Sequence, residues 1–186
     1  MNLFERIQNY IPVNQQEEHD KEQILQFMRS NEDCFERENL TGHMTVSVWT
    51  VNKERTKSLM AHHNLYNYWA WIGGHADGNK NLSEVALKEL NEETGVKNAR
   101  LVSEEIFSLE ILGVDGHVKR GKWVPSHLHF NVTYLAEADE EETLIVKEDE
   151  NSAVKWWALE EIATASTEKW MIENIYSKLI EKMKQY

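Results

Sequence analysis

Short segments of alternating apolar and polar residues dominate the middle of the chain. In residues 44–51, Thr45 and Ser47 alternate with apolar residues, and this period of two predicts a strand. The same criterion predicts strands over residues 57–62, 68–72, 106–112, 127–136 and 154–157. A polar, glycine-containing segment over residues 113–125 predicts a loop.

Other segments carry apolar residues at helical spacing. They predict helices within residues 1–38, over residues 81–95 and over residues 167–184. Strands on both sides of one central helix, with a further helix at the end, predict an α/β fold in which a sheet lies between helices. We expect an N-terminal helical extension over residues 1–42 and one main domain over residues 43–186.

Composition narrows the possible partners. The chain has 186 residues, and 32 acidic against 20 basic residues give a net charge of −12, which repels a nucleic-acid polymer. No apolar run is long enough to span a membrane, and Met1–Tyr10 lacks the features of a signal peptide. Cys34 is the single cysteine, so we expect a cytoplasmic protein without an internal disulfide.

The central helix places acids where a core-facing stripe is expected. Asn81 and Glu84 suit a capping box, and Gly95 suits a left-handed C-cap. Glu89, Glu92 and Glu93 stand at positions i, i+3 and i+4, so their carboxylates crowd together on the side that carries Leu90. Two interpretations stay open. In the first, the three acids are ordinary surface residues at a solvated helix end. In the second, their carboxylates bind a hard divalent cation.

The residues that follow Gly74 resemble the Nudix box. Gly74, five residues, Lys80, seven residues and then the segment KELNEETGV match the spacing of the Nudix (MutT-like) hydrolase signature over 23 residues. The resemblance extends to the aromatic strand before Gly74 and to the WWALEEI segment near residue 160. Two positions depart from the family pattern, because Lys80 stands where the family has Glu and Lys88 where it has Arg.

The resemblance implies an α/β/α sandwich around a mixed sheet and a pyrophosphohydrolase that uses Mg²⁺ or Mn²⁺. It implies that Glu89, Glu92 and Glu93 are metal ligands, one of which could serve as the base, and that Gly74 shapes the adjoining turn. Lys80 is expected to remove a second metal unless Asp77 substitutes for the missing acid. The expected substrate is a small molecule in which a nucleoside diphosphate is linked to another group.

Histidines and basic residues outside the box are further candidates. His127 and His129 share a strand face, and His75 follows Gly74 directly. One hypothesis is a transition-metal site completed by His43 or His62, or else a cluster that presents donors to a phosphate, whereas the favoured interpretation is separate, exposed or hydrogen-bonded histidines. The cluster Lys119, Arg120 and Lys122 could bind substrate phosphates or could equally be a solvated loop.

Two functions from different classes remain open at this point. The leading hypothesis is a metal-dependent hydrolase that cleaves a diphosphate linkage. The alternative is a catalytically weak Nudix module that binds a nucleotide-like ligand as a sensor, and Lys80 is the residue that favours it. The sequence leaves the oligomeric state open, with a homodimer as one candidate.

Overall fold

The computed structural model of the protein describes residues 1–65, 67–119 and 121–186. The fold is α/β with a mixed sheet and helices, as predicted, and two helices precede the first strand. In the larger sheet the strand order is β10-β2-β1-β9-β5, with β3 on β2, β4 on β1 and β6 on β9, whereas β7 and β8 form a separate hairpin. None of the described helices is long and apolar enough to cross a bilayer.

The chain forms two compact units. The first unit comprises Met1–Ser47, Gly74–Val85 and Glu105–Tyr134, and the second comprises Val48–Gly73, Ala86–Glu104 and Leu135–Tyr186.

The first half of the chain contains three helices and four strands. They are α1 (Leu3–Asn9), α2 (Gln15–Ser30), β1 (Gly42–Val51), β2 (Lys57–His63), β3 (Tyr68–Ala70), β4 (Ile72–His75) and α3 (Leu82–Thr94).

Short strands and helical segments make up the second half. They are β5 (Arg100–Leu101), β6 (Ser108–Val114), β7 (His117–Lys119), β8 (Lys122–Val124), β9 (His127–Glu137), β10 (Asn151–Ala158), a 3-10 turn (Leu159–Glu161), α4 (Ile162–Ala165), α5 (Lys169–Met171), a π-helical segment (Ile172–Tyr176) and α6 (Ser177–Met183).

Within the first unit, α2 packs on β6 through a buried carboxylate. Glu17 is fully buried and accepts hydrogen bonds from the Tyr10 hydroxyl at 2.7 Å, the Val13 N–H at 3.0 Å and the Ser108 hydroxyl at 2.8 Å. The stacked rings of Phe27 and Phe130, 4.0 Å apart, extend this contact. The predicted helical extension is therefore tied to a strand of the same unit by groups that burial would otherwise leave unpaired.

Strand β1 differs from the half-exposed strand that its alternation suggests, because all ten of its residues are buried. Two of its hydroxyl side chains have partners inside the first unit. Thr45 and Ser47 donate to Asn131 Oδ1 at 3.0 and 3.1 Å, and Asn131 Nδ2 donates to Glu110 at 3.0 Å. These partners offset the cost of burying the two hydroxyl groups in a strand that is covered on both faces.

Three predicted elements differ in detail from the structure. The predicted strand 68–72 is two strands, β3 and β4, with Trp71 between them. The predicted loop 113–125 is wrong for β7 and β8, where Val118 pairs with Trp123. The predicted closing helix contains the π-helical segment, in which fully buried Tyr176 receives a hydrogen bond from Trp71 N–H at 3.4 Å.

Candidate functional site

The last turn of α3 carries three glutamates that differ in exposure. Glu93 is 6 % exposed, and the side chains of Glu89 and Glu92 are 15 % and 42 % exposed. Lys88 Nζ lies 3.6 Å from Glu92 and 4.0 Å from Glu89. The acidic face of the helix therefore begins in the core at Glu93 and reaches solvent at Glu92.

Both carboxylate oxygens of Glu93 have neutral donors. The Gly73 N–H donates to Oε1 at 3.4 Å, and Asn151 Nδ2 donates to Oε2 at 2.9 Å. Burial, together with nearby Glu89, raises the pKa of Glu93 to about 7, although the two donors act in the opposite direction. The hydrogen bonds fix the carboxylate in place without supplying a full positive charge.

The surroundings of Glu89 are also short of positive charge. Burial raises the pKa of Glu89, Lys88 opposes that shift, and Glu92 and Glu150 reinforce it. Lys147 is the other nearby cation, and it pairs with Glu150 at 3.0 Å.

One further oxygen beside Glu93 lacks a partner. Asn151 Oδ1 is buried and accepts no hydrogen bond from any residue that the structure describes. Carboxylates with raised pKa values and an unpaired amide oxygen form an all-oxygen donor set, which is the chemistry that a hard divalent cation prefers. The residues present therefore fit such an ion.

Four histidines of the first unit come together on three neighbouring strands. His43 lies near the start of β1, His75 ends β4, and His127 and His129 begin β9. Two backbone hydrogen bonds set this arrangement, because Ala76 N–H donates to the Met44 carbonyl at 3.1 Å and Leu128 N–H donates to the Thr41 carbonyl at 3.0 Å. We call these four residues the histidine cluster.

A glycine permits the close approach of two of these strands. A Cβ at Gly42 would lie 2.6 Å from the Leu128 carbonyl oxygen and 2.8 Å from the Phe130 ring. Because these contacts are too short for a side chain, Gly42 allows β1 to lie against β9 at the position of His43.

The rings of the histidine cluster are in direct contact. Ring centroids of His43 lie 5.0 Å from those of His75 and His127 and 5.1 Å from that of His129. The Nε2 atoms of His127 and His129 are 3.2 Å apart. The structure therefore brings His75, His127 and His129 together with His43, and metal binding by this cluster stays a prediction.

Burial favours the uncharged form of His43, His75 and His129. It lowers the pKa of His75 to about 3 and that of His129 to about 2, and the neighbouring imidazoles add to both shifts. Arg37 also lowers both pKa values, but its guanidinium is paired with Asp77, with Nη2 2.6 Å from Oδ2. At neutral pH the rings of His75 and His129 therefore present lone pairs and neutral N–H groups.

The remaining candidate residues are His62, Gly74 and the basic cluster of Lys119, Arg120 and Lys122. His62 is bonded to the Ser152 hydroxyl at 2.8 Å and belongs to the second unit. Gly74 lies in β4 and is half-buried. Lys119 and Lys122 face each other across the β7–β8 hairpin and are exposed, whereas Arg120 lies outside the described residues.

Asp77 and Lys80, the two residues on which a second metal would depend, each have a partner side chain. Asp77, considered as a substitute for the missing acid, is paired with Arg37. The Lys80 ammonium lies 5.9 Å from the centroid of the Phe35 ring. The loss of a second metal at this position stays a prediction.

Comparisons with known proteins agree with these local features. The family model described as the NUDIX domain matches residues 41–181. The chain belongs to the NUDIX family. No curated protein sequence matches the chain.

Solved structures of low sequence identity share the Nudix fold. A NUDIX-family hydrolase from Clostridium perfringens is 23% identical, with a TM-score of 0.54 over 77% of this chain and 97% of that one. An Ap4A hydrolase from C. elegans in a binary complex is 18% identical, with a TM-score of 0.53 over 76% and 95%. A MutT protein from Methanosarcina mazei Go1 is 15% identical, with a TM-score of 0.53 over 77% and 96%.

Asn151 is a partner of Glu93 that the sequence does not reveal. It stands 58 positions after Glu93 and belongs to no motif quoted above. Only the pairing of β10 with β2, in which Asn151 lies opposite His63, fixes where its amide lies.

Proposed function

We propose that this Nudix protein hydrolyses a diphosphate linkage in a small molecule, such as a nucleoside diphosphate derivative, with Mg²⁺ or Mn²⁺ as cofactor. The observation that carries the proposal is the acidic end of α3, where Glu89 and Glu93 have raised pKa values and Glu93 is bonded to Asn151, whose amide oxygen accepts no hydrogen bond from the described residues. Family membership supports the same chemistry.

Glu89, Glu92 and Glu93 are the residues that would hold the cation. When bound, it supplies positive charge that neutralises the diphosphate oxygens. Gly73 N–H and Asn151 hold the Glu93 carboxylate in a fixed orientation, and Lys88 sits beside exposed Glu92. Water adds to one phosphorus, the bridging P–O bond breaks, and one of the three carboxylates takes the proton from water.

The β7–β8 hairpin is the proposed place for substrate contacts. Lys119 and Lys122 supply two exposed cations that suit phosphate oxygens. Trp123, 68% exposed, offers a flat surface on which a base could stack. Gly74, within the Nudix box, keeps its proposed role of shaping the turn before α3, and the catalytic domain is proposed to begin near residue 43.

A substrate panel tests the proposal. Nucleoside triphosphates, dinucleoside polyphosphates and nucleoside diphosphate sugars are incubated with the protein, with and without Mg²⁺, and the products are resolved by chromatography. We expect one class to be cleaved only with the cation, and Glu92→Gln and Glu93→Gln each to reduce the rate by at least about 100-fold. Glu84→Gln is the matched control, because Glu84 is an exposed glutamate of the same helix.

The outcome separates the two functional classes considered above. Tight binding of a panel member without any turnover in Mg²⁺ or Mn²⁺ would contradict the hydrolase and support a sensor. Cleavage that survives both Gln variants unchanged would remove the acids from the mechanism.

A further inference from the structure

The proposed hydrolysis assigns no role to the histidine cluster. Ligand nitrogens of His43, His75 and His129 all lie within 4.8 Å of one another, in an arrangement that a single ion could hold. His127 adds a fourth imidazole beside His129. Four imidazoles packed together bury polar atoms, and such burial calls for a partner.

Backbone carbonyls orient two of the rings through their Nδ1 atoms. His127 Nδ1 lies 2.9 Å from the Pro125 carbonyl oxygen, and His43 Nδ1 lies 3.4 Å from the Asn39 carbonyl oxygen. An Nδ1–H donated to a carbonyl leaves the Nε2 lone pair available, which is the arrangement found around histidines that bind metals.

One of these Nε2 atoms has no partner. His43 Nε2 is buried and, within the described part of the chain, accepts or donates no hydrogen bond. His127 Nε2 lies 3.2 Å from His129 Nε2, which is a hydrogen-bond distance, so His127 contacts the His129 ring directly.

We propose that His43, His75 and His129 bind one first-row transition-metal ion of the Zn²⁺ type, with His127 supporting the set from beside His129. Neutral imidazole favours Zn²⁺, Ni²⁺ or Fe²⁺ over Mg²⁺, so this site is chemically distinct from the all-oxygen set on α3. The spacing of up to 4.8 Å among the three histidines means that their side chains draw together when the ion binds.

An anion is a poorer occupant of the cluster. Binding phosphate would need protonated rings, and several charged imidazoles at centroid distances near 5 Å repel one another. Arg37 is the cation whose charge acts on the cluster, but its guanidinium is paired with Asp77.

Metal binding is measured directly, apart from any activity. Chelator-treated full-length protein is titrated with Zn²⁺ by calorimetry in excess Mg²⁺, and with Co²⁺ by visible absorption. We expect one Zn²⁺ per chain and the intense visible bands of tetrahedral Co²⁺. The variant Glu89→Gln/Glu92→Gln/Glu93→Gln should retain both signals, so failure of the proposed hydrolase and failure of this site are distinguishable.

Histidine variants assign the site. His75→Asn and His129→Asn should each weaken Zn²⁺ binding by more than about 100-fold, since even the loss of a group that only orients a ligand costs about 10–100-fold. His19→Asn, an exposed histidine on α2, is the matched control and should bind as wild type does. Wild-type affinity in both cluster variants would overturn the proposal.

A measurement on the unaltered chain covers the case in which variants fail to fold. Imidazole ¹⁵N spectra of the wild type are recorded with and without one equivalent of Zn²⁺, and signals of His43, His75 and His129 are expected to move. Movement confined to other histidines, or no stoichiometric binding at all, would show that the cluster is only a hydrogen-bonded group.

Discussion

At the scale of single residues, Glu93 and Asn151 depend on each other. The Asn151 amide donates to Glu93 at 2.9 Å, while its own oxygen is buried and has no partner among the described residues. An amide is the group that can hold a carboxylate by one atom and present an oxygen with the other. This pairing explains how a carboxylate that is 6% exposed keeps a defined orientation.

Removing the amide should therefore impair the proposed reaction. We expect Asn151→Ala to reduce kcat by about 10–100-fold, because a hydrogen bond to a charged group is worth roughly 1.5–3 kcal/mol. Steady-state kinetics on the substrate found in the panel measures the loss. Ser152→Ala, at the neighbouring exposed position, is the control, and an equal loss there would argue against a specific role for Asn151.

The raised pKa of Glu93 has a consequence for stability in the metal-free protein. Folding favours the protonated acid, so this contribution is present below the ordinary value of 4.5 and is lost as the pH rises to about 7. We expect the unfolding free energy of the wild type, relative to Glu93→Gln, to fall by on the order of 1–3 kcal/mol across that range. Urea unfolding in chelator at several pH values tests this, and a constant difference would contradict it.

At the scale of elements, the end of α3 is set by a glycine. Gly95 has φ +76°, and its N–H donates to the Asn91 carbonyl at 2.8 Å. A Cβ there would lie 2.7 Å from Ile145 Cβ. The left-handed C-cap that the sequence predicts is confirmed, and the close neighbour adds a second reason for glycine.

Gly95→Ala should accordingly destabilise the protein by about 1–3 kcal/mol, since alanine is strained at this φ and meets Ile145. The free energy of unfolding in urea is the measurement. Gly113→Ala provides the control, because no atom lies within 4 Å of a Cβ at that position. Equal effects of the two changes would mean that neither the φ value nor the contact matters.

The β7–β8 hairpin carries the proposed substrate contacts on an exposed element. Gly116 lies against the Trp123 ring, where a Cβ would be 2.7 Å from Cζ2. We expect Trp123→Ala to raise KM several-fold with little change in kcat or in melting temperature, because the exposed ring contributes more to binding than to packing. Val118→Ala, at the paired position of the hairpin, is the comparison. Unchanged KM in Trp123→Ala would exclude the ring from the substrate site.

Sequence periodicity identified the main strands and helices because each is long enough to show its period. It did not identify β7 and β8, because strands of three residues are too short to show alternation. Exposed Lys119 and Lys122 are also typical of a loop. The box acids could be predicted from their spacing on one helix. Asn151 and the closeness of His43 to His129 could not, because both depend on which strands pair.

At the scale of the whole molecule, acidic residues prevail in the composition, with a net charge of −12. This negative charge favours a small anionic substrate, which a bound cation can attract, over a nucleic-acid polymer. Location in the cytoplasm and a homodimer stay predictions. The family match over residues 41–181 leaves α1 and α2 outside the matched range.

Divalent cations should stabilise the whole protein if the acids of α3 bind one of them. At free Mg²⁺ about 100 times its Kd, the unfolding free energy should rise by about 2.7 kcal/mol, which corresponds to roughly 5–10 °C in Tm for a chain of this size. Thermal unfolding in chelator-treated buffer with added Mg²⁺ measures the shift, and choline chloride at equal ionic strength corrects for screening of the net charge. Glu84→Gln should keep the full shift, whereas Glu92→Gln/Glu93→Gln should lose most of it. An equal shift in the double variant would mean that Mg²⁺ binds the acidic surface in general and not specifically the carboxylates of α3.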